Sequence, residues 1–200
     1  MDIDSYVWKI EGPFDSNYSL SILNQKFSES LSKSNLDVFI NVSEGFGDYN
    51  PNVEYLKNNK IIYDLFVKDI PKSVDVLSRN LYPPRVHDMN AKINILHAFG
   101  WEESSIDSSW IDDFNFYLSG MTVMSEYVKK ILIDNGVYIP ISVCGLGSDH
   151  LNNIVEDNNY ELNSNDFKFL HISSCFPRKG IEYLLDAYTR AFTDKDNVLL

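Results

Sequence analysis

The sequence predicts an α/β protein built on a Rossmann-like, doubly wound parallel sheet. Two observations predict it. Short apolar runs of strand length alternate along the chain with segments whose apolar residues recur at helical spacing. The loops after several of these runs hold glycine, proline or a small polar residue, where a strand turns into a helix. Strands separated by helices pair in parallel through crossovers, which places helices on the sheet faces. Ligands of such sheets bind beyond the carboxyl ends of the strands.

The elements follow in order. Tyr6 to Ile10 reads as the first strand and Glu11 to Ser16 as a turn-rich loop. Leu20, Leu23, Phe27 and Leu31 predict a helix of about three turns. Asp37 to Val42 is the next strand, Glu44 to Pro51 an exposed loop, and Val53 to Lys68 a helical stretch. Val74 to Leu77 predicts a strand, followed by an extended run from Arg79 to Arg85 that two prolines restrict. Ile93 to His97 is a strand and Ala98 to Ser105 a polar, aromatic loop. Ser109, with Asp112 three residues on, predicts a helix start. Met121 to Met124 is a strand, and Ser125 caps a helix that buries Val128, Ile131 and Leu132 and ends at Asn135-Gly136. Ile139 to Val143 closes this set.

Residues 1–150 therefore form a first domain, and the asparagine-rich residues 151–166 a linker or excursion. Residues 167–200 open a second α/β domain that is incomplete at Leu200. Phe167 to Ile172 predicts a buried strand with His171 in the core. The helix after Gly180 is expected to bury Ile181, Leu184, Leu185, Tyr188 and Phe192, and Asn197 to Leu200 to begin another strand.

Bulk properties narrow the function. The formal net charge of −12 disfavours nucleic acid and anionic membranes as partners, because phosphate binding needs clustered cations. No apolar run approaches membrane-spanning length. The start has no basic and apolar signal segment. Two cysteines, Cys144 and Cys175, make neither a disulfide framework nor a metal-ligand spacing, and a cytoplasmic setting is expected. The four histidines lack metal-site spacing.

Several residues could carry chemistry. Gly12 either lets backbone N–H groups approach a phosphate or simply makes a turn. His97, where an apolar strand ends, either donates to a sugar hydroxyl near a reacting centre or sits satisfied in the core. Trp101 could stack on a pyranose while Glu102 binds its hydroxyls; alternatively the loop is solvated and the indole buried. Arg178 and Lys179, with Ser173 and Ser174 at the preceding strand end, could hold an anion before the last helix or be solvated charges.

Taken together the motifs resemble glycosyltransferase family 4, retaining enzymes with the GT-B architecture of two facing Rossmann-like domains. The resemblance rests on Gly12-Pro-Phe-Asp-Ser, Arg79-Asn-Leu-Tyr-Pro-Pro-Arg, Leu96-His-Ala-Phe-Gly-Trp-Glu-Glu-Ser, Met124-Ser-Glu-Tyr-Val-Lys-Lys, Val143-Cys-Gly-Leu-Gly-Ser-Asp-His and, most specifically, Ser174-Cys-Phe-Pro-Arg-Lys-Gly-Ile-Glu-Tyr-Leu-Leu-Asp-Ala-Tyr. It implies hexose transfer from a nucleotide sugar to a glycan or lipid-linked acceptor, without a metal ion or other cofactor. It places Gly12, Phe14, Ser173, Ser174, Arg178 and Lys179 at the donor, His97 beside the transferred sugar as the catalytic residue, and Ser16, Trp101 and Glu102 at the acceptor. The chain departs from the family in having Ser173-Ser174 where an arginine is usual and in ending before the family's spaced glutamate pair. A nucleotide-sugar epimerase of the same architecture and a non-catalytic sugar- or nucleotide-binding module are the alternatives.

Overall fold

The computed structural model describes residues 6–44, 49–155 and 167–200. The chain divides into two compact units, Met1–Ser148 and Asp149–Leu200. Most of the proposed linker and part of the loop after Val42, including Gly45 and Gly47, lie outside the described residues.

The first unit contains β1 (Val7–Gly12), α1 (Ser19–Leu31), β2 (Asp37–Val42), α2 (Val53–Leu56), α3 (Lys60–Phe66), β3 (Val76–Arg79), β4 (Ile93–Phe99), α4 (Ser108–Tyr117), β5 (Gly120–Val123), α5 (Glu126–Asp134) and β6 (Ile141–Val143). Its six strands are all parallel, in the order β2-β1-β3-β4-β5-β6, and the fold is Rossmann-like. The order reverses at β1, which has β2 on one side and β3 on the other.

Alternation along the strands separates two cores. Ile10, Val38 and Ile40 pack with Leu56, Ile62 and Leu65 of α2 and α3. Leu77, Leu96, Met121 and Val123 pack with Ile111 and Phe114 of α4 and with Val128, Ile131 and Leu132 of α5. Leu77 is in register with Lys9 rather than Ile10, so the two clusters lie on opposite sheet faces.

Local signals set the helix boundaries. Ser125 accepts a hydrogen bond from the Val128 N–H and starts α5 as the sequence predicts. The start of α4 differs: the cap is Asp107, whose carboxylate accepts from the Ser109 N–H at 2.8 Å. α1 also differs in the face it buries. Ser21, Asn24 and Ser28 are fully enclosed, while Leu20 and Leu23 are only half-buried. These short side chains let the helix approach β1 closely, and Asn24 hydrogen-bonds across the contact to the carbonyls of Pro13 and Asn80.

β4 is irregular near its end. Leu96 pairs with Met121 and Phe99 with Val123, so three steps along β4 match two along β5. The extra residue is a bulge, and Ala98 takes a left-handed backbone with φ of 48°, its N–H donating to Thr122 Oγ1 at 2.8 Å.

In the second unit, β7 (Phe167–Lys168) pairs in parallel with β8 (Val198–Leu199), and α6 (Ile181–Ala191) lies between them in sequence. Phe169, Tyr188 and Phe192 form its aromatic contact, with ring centroids 5.2–6.1 Å apart. Less of this unit is buried than the sequence predicts. The strand is two residues long, His171 is exposed, and Leu170 and Ile172 are each 85 % exposed. Leu185 is exposed as well, and Ile181, Leu184, Tyr188 and Phe192 are half-buried. One helix against two short strands covers one side only, which is too little to enclose a whole apolar run.

Candidate functional site

In the first unit, the carboxyl ends of β1, β3 and β4 meet beside the reversal in strand order, the usual place for a ligand crevice in a doubly wound sheet. β1 ends on Gly12. A Cβ built there would lie 2.3 Å from the Asn80 carbonyl oxygen and 2.4 Å from Asn24 Nδ2, and φ is +153°. Only glycine fits, because neighbouring backbone and side chain occupy the volume of any larger residue.

Asn24, on the second turn of α1, ties the strand ends together. Its Nδ2 donates to the carbonyls of Pro13 and Asn80, both at 3.0 Å. Its Oδ1 lies 2.9 Å from His97 Nε2 on β4. Phe27, three residues further along α1, stacks on the imidazole at 4.3 Å between ring centroids and 17° between planes. His97 is 1 % exposed. Its Nδ1 is enclosed and has no hydrogen-bond partner among the described residues. Burial pushes the pKa of the imidazole down to about 3, so the ring is neutral at physiological pH.

The loop after Gly12 is held by its own polar groups. Asp15 accepts from the Tyr49 hydroxyl at 2.9 Å and from the Asn52 N–H at 2.6 Å. The Ser16 N–H donates to Ser21 Oγ at 3.2 Å, and the Ser16 carbonyl accepts from the Tyr55 hydroxyl at 2.9 Å. Phe14 is 0 % exposed and packs in the core with Ile10 and Val42. Its side chain thus faces the core, and its carbonyl accepts from Gln25 Nε2 at 2.7 Å.

A charged cluster lies on the opposite face of the same strand ends. Glu11 and Arg79 are in register on β1 and β3 and pair through one guanidinium edge, Nε and Nη2 both donating to Glu11 Oε2, with Nε to Oε2 at 2.8 Å. Arg79 also donates to Asp88 at 2.5 Å and to the Arg85 carbonyl at 2.6 Å, and Lys9 reaches Glu11 at 2.7 Å. Burial alone would raise the Glu11 carboxyl, yet Arg79 and Lys9 hold it below the usual carboxylate range. Asp88 is lowered in the same way: burial opposes the shift and Arg79 outweighs it. The run after Arg79 is thereby pinned to the sheet.

Trp101 is half-buried between Phe99, stacked at 6.3 Å, and Trp110, edge-on at 5.6 Å. Its Nε1–H donates to the Ser105 carbonyl at 2.9 Å. Glu102 is exposed next to it.

The remaining candidates belong to the second unit. Ser173 Oγ contacts His171 Nε2 at 2.8 Å and accepts from the Cys175 N–H at 3.2 Å. Ser174 is exposed. Arg178 and Lys179 do not open the last helix. They occupy a single 3-10 turn, Pro177–Lys179, and the left-handed Gly180 (φ 70°) leads into α6. Both are exposed.

The structure thus brings Gly12 and His97 together through Asn24. It keeps Trp101 and Glu102 in one loop after β4, and Ser173, Ser174, Arg178 and Lys179 in another before α6. Asn24, Phe27, Asn80, Glu11 and Arg79 are additional to the residues singled out from sequence. The signal for Asn24 was present: Ser21, Asn24 and Ser28 recur at helical spacing as strictly as the leucines do. Among the described residues no group of three or more His, Cys, Asp or Glu side chains could hold a metal ion, and no helix is long and apolar enough to cross a membrane. The chain matches no family model, no curated protein and no solved structure.

Proposed function

We propose that the chain is part of a retaining glycosyltransferase of GT-B architecture, moving a hexose from a nucleotide sugar to a glycan or lipid-linked acceptor. The observation that carries this reading is the linkage of Gly12 to His97 through Asn24 at the carboxyl ends of β1 and β4. These two residues are 85 positions apart, and both belong to the motifs that resemble family 4. Gly12 lets the Asn80 carbonyl and the Asn24 amide close in on the end of β1, which sets the position of the loop that follows. His97, neutral and held by Asn24, is the group assigned to the transferred sugar. In the second unit, Lys179 and Arg178 precede a helix N-terminus and would pair with the donor diphosphate, stabilising the departing charge. Trp101 and Glu102 would meet the acceptor.

The test is incubation of the protein with UDP-, GDP- and ADP-sugars, following nucleoside diphosphate release with and without a glycan acceptor. Release that requires acceptor supports the transferase. Sugar isomerisation without acceptor identifies an epimerase. No release and no rise in melting temperature with any donor refutes nucleotide-sugar chemistry altogether. A second reading, a binding module without turnover, draws on the 1 % exposure of His97, which suits a structural imidazole. It predicts a rise in melting temperature with a donor that is never consumed.

A further inference from the structure

The hydrogen bonds around Asn24 determine more than its position. Its amide nitrogen lies 3.0 Å from two carbonyl oxygens, those of Pro13 and Asn80. Carbonyls only accept, so the nitrogen must face them, and the reversed amide would set oxygen against oxygen twice. The amide oxygen is therefore the atom 2.9 Å from His97 Nε2. That oxygen also only accepts, so Nε2 must carry the proton. In a neutral imidazole the other nitrogen then has a bare lone pair. For His97 this is Nδ1, which is enclosed and unpartnered among the described residues.

We infer that Asn24 is a positioning residue that fixes His97 as its Nε2–H tautomer, so that Nδ1, the nitrogen not bonded to Asn24, acts only as a hydrogen-bond acceptor for an O–H donor. A phosphate or carboxylate oxygen meets lone pair against lone pair at this nitrogen and is rejected. A hydroxyl is accepted, whether from a bound water or from a sugar. The assignment of the hydroxyl to a sugar rests on the glycosyl-transfer reading; the tautomer does not. The arrangement reverses the donor role first expected for this histidine.

The experiment is long-range 1H–15N NMR of the full chain with 15N-labelled histidine, at neutral pH, alone and with UDP or UDP-glucose. His97→Gln identifies the resonances. The expected free-protein pattern is that of the Nε2–H tautomer, with Nδ1 shifted as a hydrogen-bonded acceptor. An Nδ1 signal that moves with UDP-glucose and not with UDP identifies a sugar hydroxyl. One already shifted in the free protein and unmoved by either identifies water. An Nδ1–H tautomer, an imidazolium, or an Nδ1 signal at the position of an unbonded nitrogen under all conditions overturns the inference. Asn24→Ala should yield a mixture of tautomers, whereas a merely structural Asn24 would leave the Nε2–H pattern intact. If no nucleotide sugar binds, the proposed function fails while the tautomer assignment is still decided on the free protein.

Discussion

His97 makes the first unit acid-sensitive in a pH window of its own. Its folded-state pKa is depressed to about 3 by burial, against an ordinary value near 6.5. Between these values the unfolded chain binds a proton that the folded chain does not, so stability falls as pH drops below about 6.5 and stops falling near 3. Each pH unit well inside the window costs about 1.4 kcal/mol. From pH 7 to pH 5 the loss is about 2 kcal/mol, allowing for incomplete titration near 6.5. Carboxylates such as Glu11 and Asp88, held below their usual range, lose their contributions only at lower pH, so the interval from 7 to 5 isolates the imidazole. The assay is urea unfolding followed by tryptophan fluorescence. All three tryptophans, Trp8, Trp101 and Trp110, lie in the first unit, so the signal reports that unit alone. His97→Gln, which cannot titrate and can still donate to Asn24, should reduce the pH dependence by about 2 kcal/mol relative to the parent protein. Equal pH dependence in the two proteins would refute the burial argument.

Gly12→Ala should destabilise the first unit by about 2–4 kcal/mol, because its Cβ would lie within 2.4 Å of the Asn80 carbonyl and the Asn24 amide at an unfavourable φ; an unchanged urea midpoint would argue against the close approach. Arg79→Met should cost about 3–5 kcal/mol by leaving Glu11 buried without its main partner, measured by the same unfolding signal. Much of that loss should be recovered in the Glu11→Gln, Arg79→Met double variant. Lys179→Ala should weaken donor binding about 10–100-fold in calorimetric titration, the range expected for one charged contact to a phosphate. Acceptor affinity should stay unchanged, and equal loss of both would remove Lys179 from the donor site.

The parallel sheet was legible because its signal is short-range. Each strand of the first unit is built around apolar residues, and alternation with helical spacing leaves one class of architecture. Boundaries were less legible where a strand continues into polar residues. β1 runs on through Glu11 and Gly12, and β3 through Arg79, because the charges neutralise one another across the ladder. Pair energies of that kind depend on residues 68 apart and leave no local trace. The buried stripe of α1 is polar, so the spacing of its leucines points to the wrong face. Ser28 is buried for close fit, and Ser21 and Asn24 for hydrogen bonding as well, which apolar patterning does not register. His171 misled for the opposite reason: its neighbours are apolar, but one helix and two short strands provide nothing to cover them. In the candidate site, Gly12 and His97 could be picked out as residue types at strand ends. Their connection through Asn24 could not, since it needs three elements in place.

The bulge at Ala98 bears on how this strand can lose or gain a residue. With three steps of β4 matched to two of β5, the inward and outward alternation on either side of Ala98 is out of phase. Removing Ala98 alone would bring the two halves into a single alternation, keeping Leu96 opposite Met121 and the phenylalanine opposite Val123. One codon could therefore be deleted there without turning the core inside out, whereas the same deletion at Ile95 would exchange interior and exterior along the start of the strand. The supernumerary alanine marks the position in β4 where length can drift while the hydrophobic interior stays as it is.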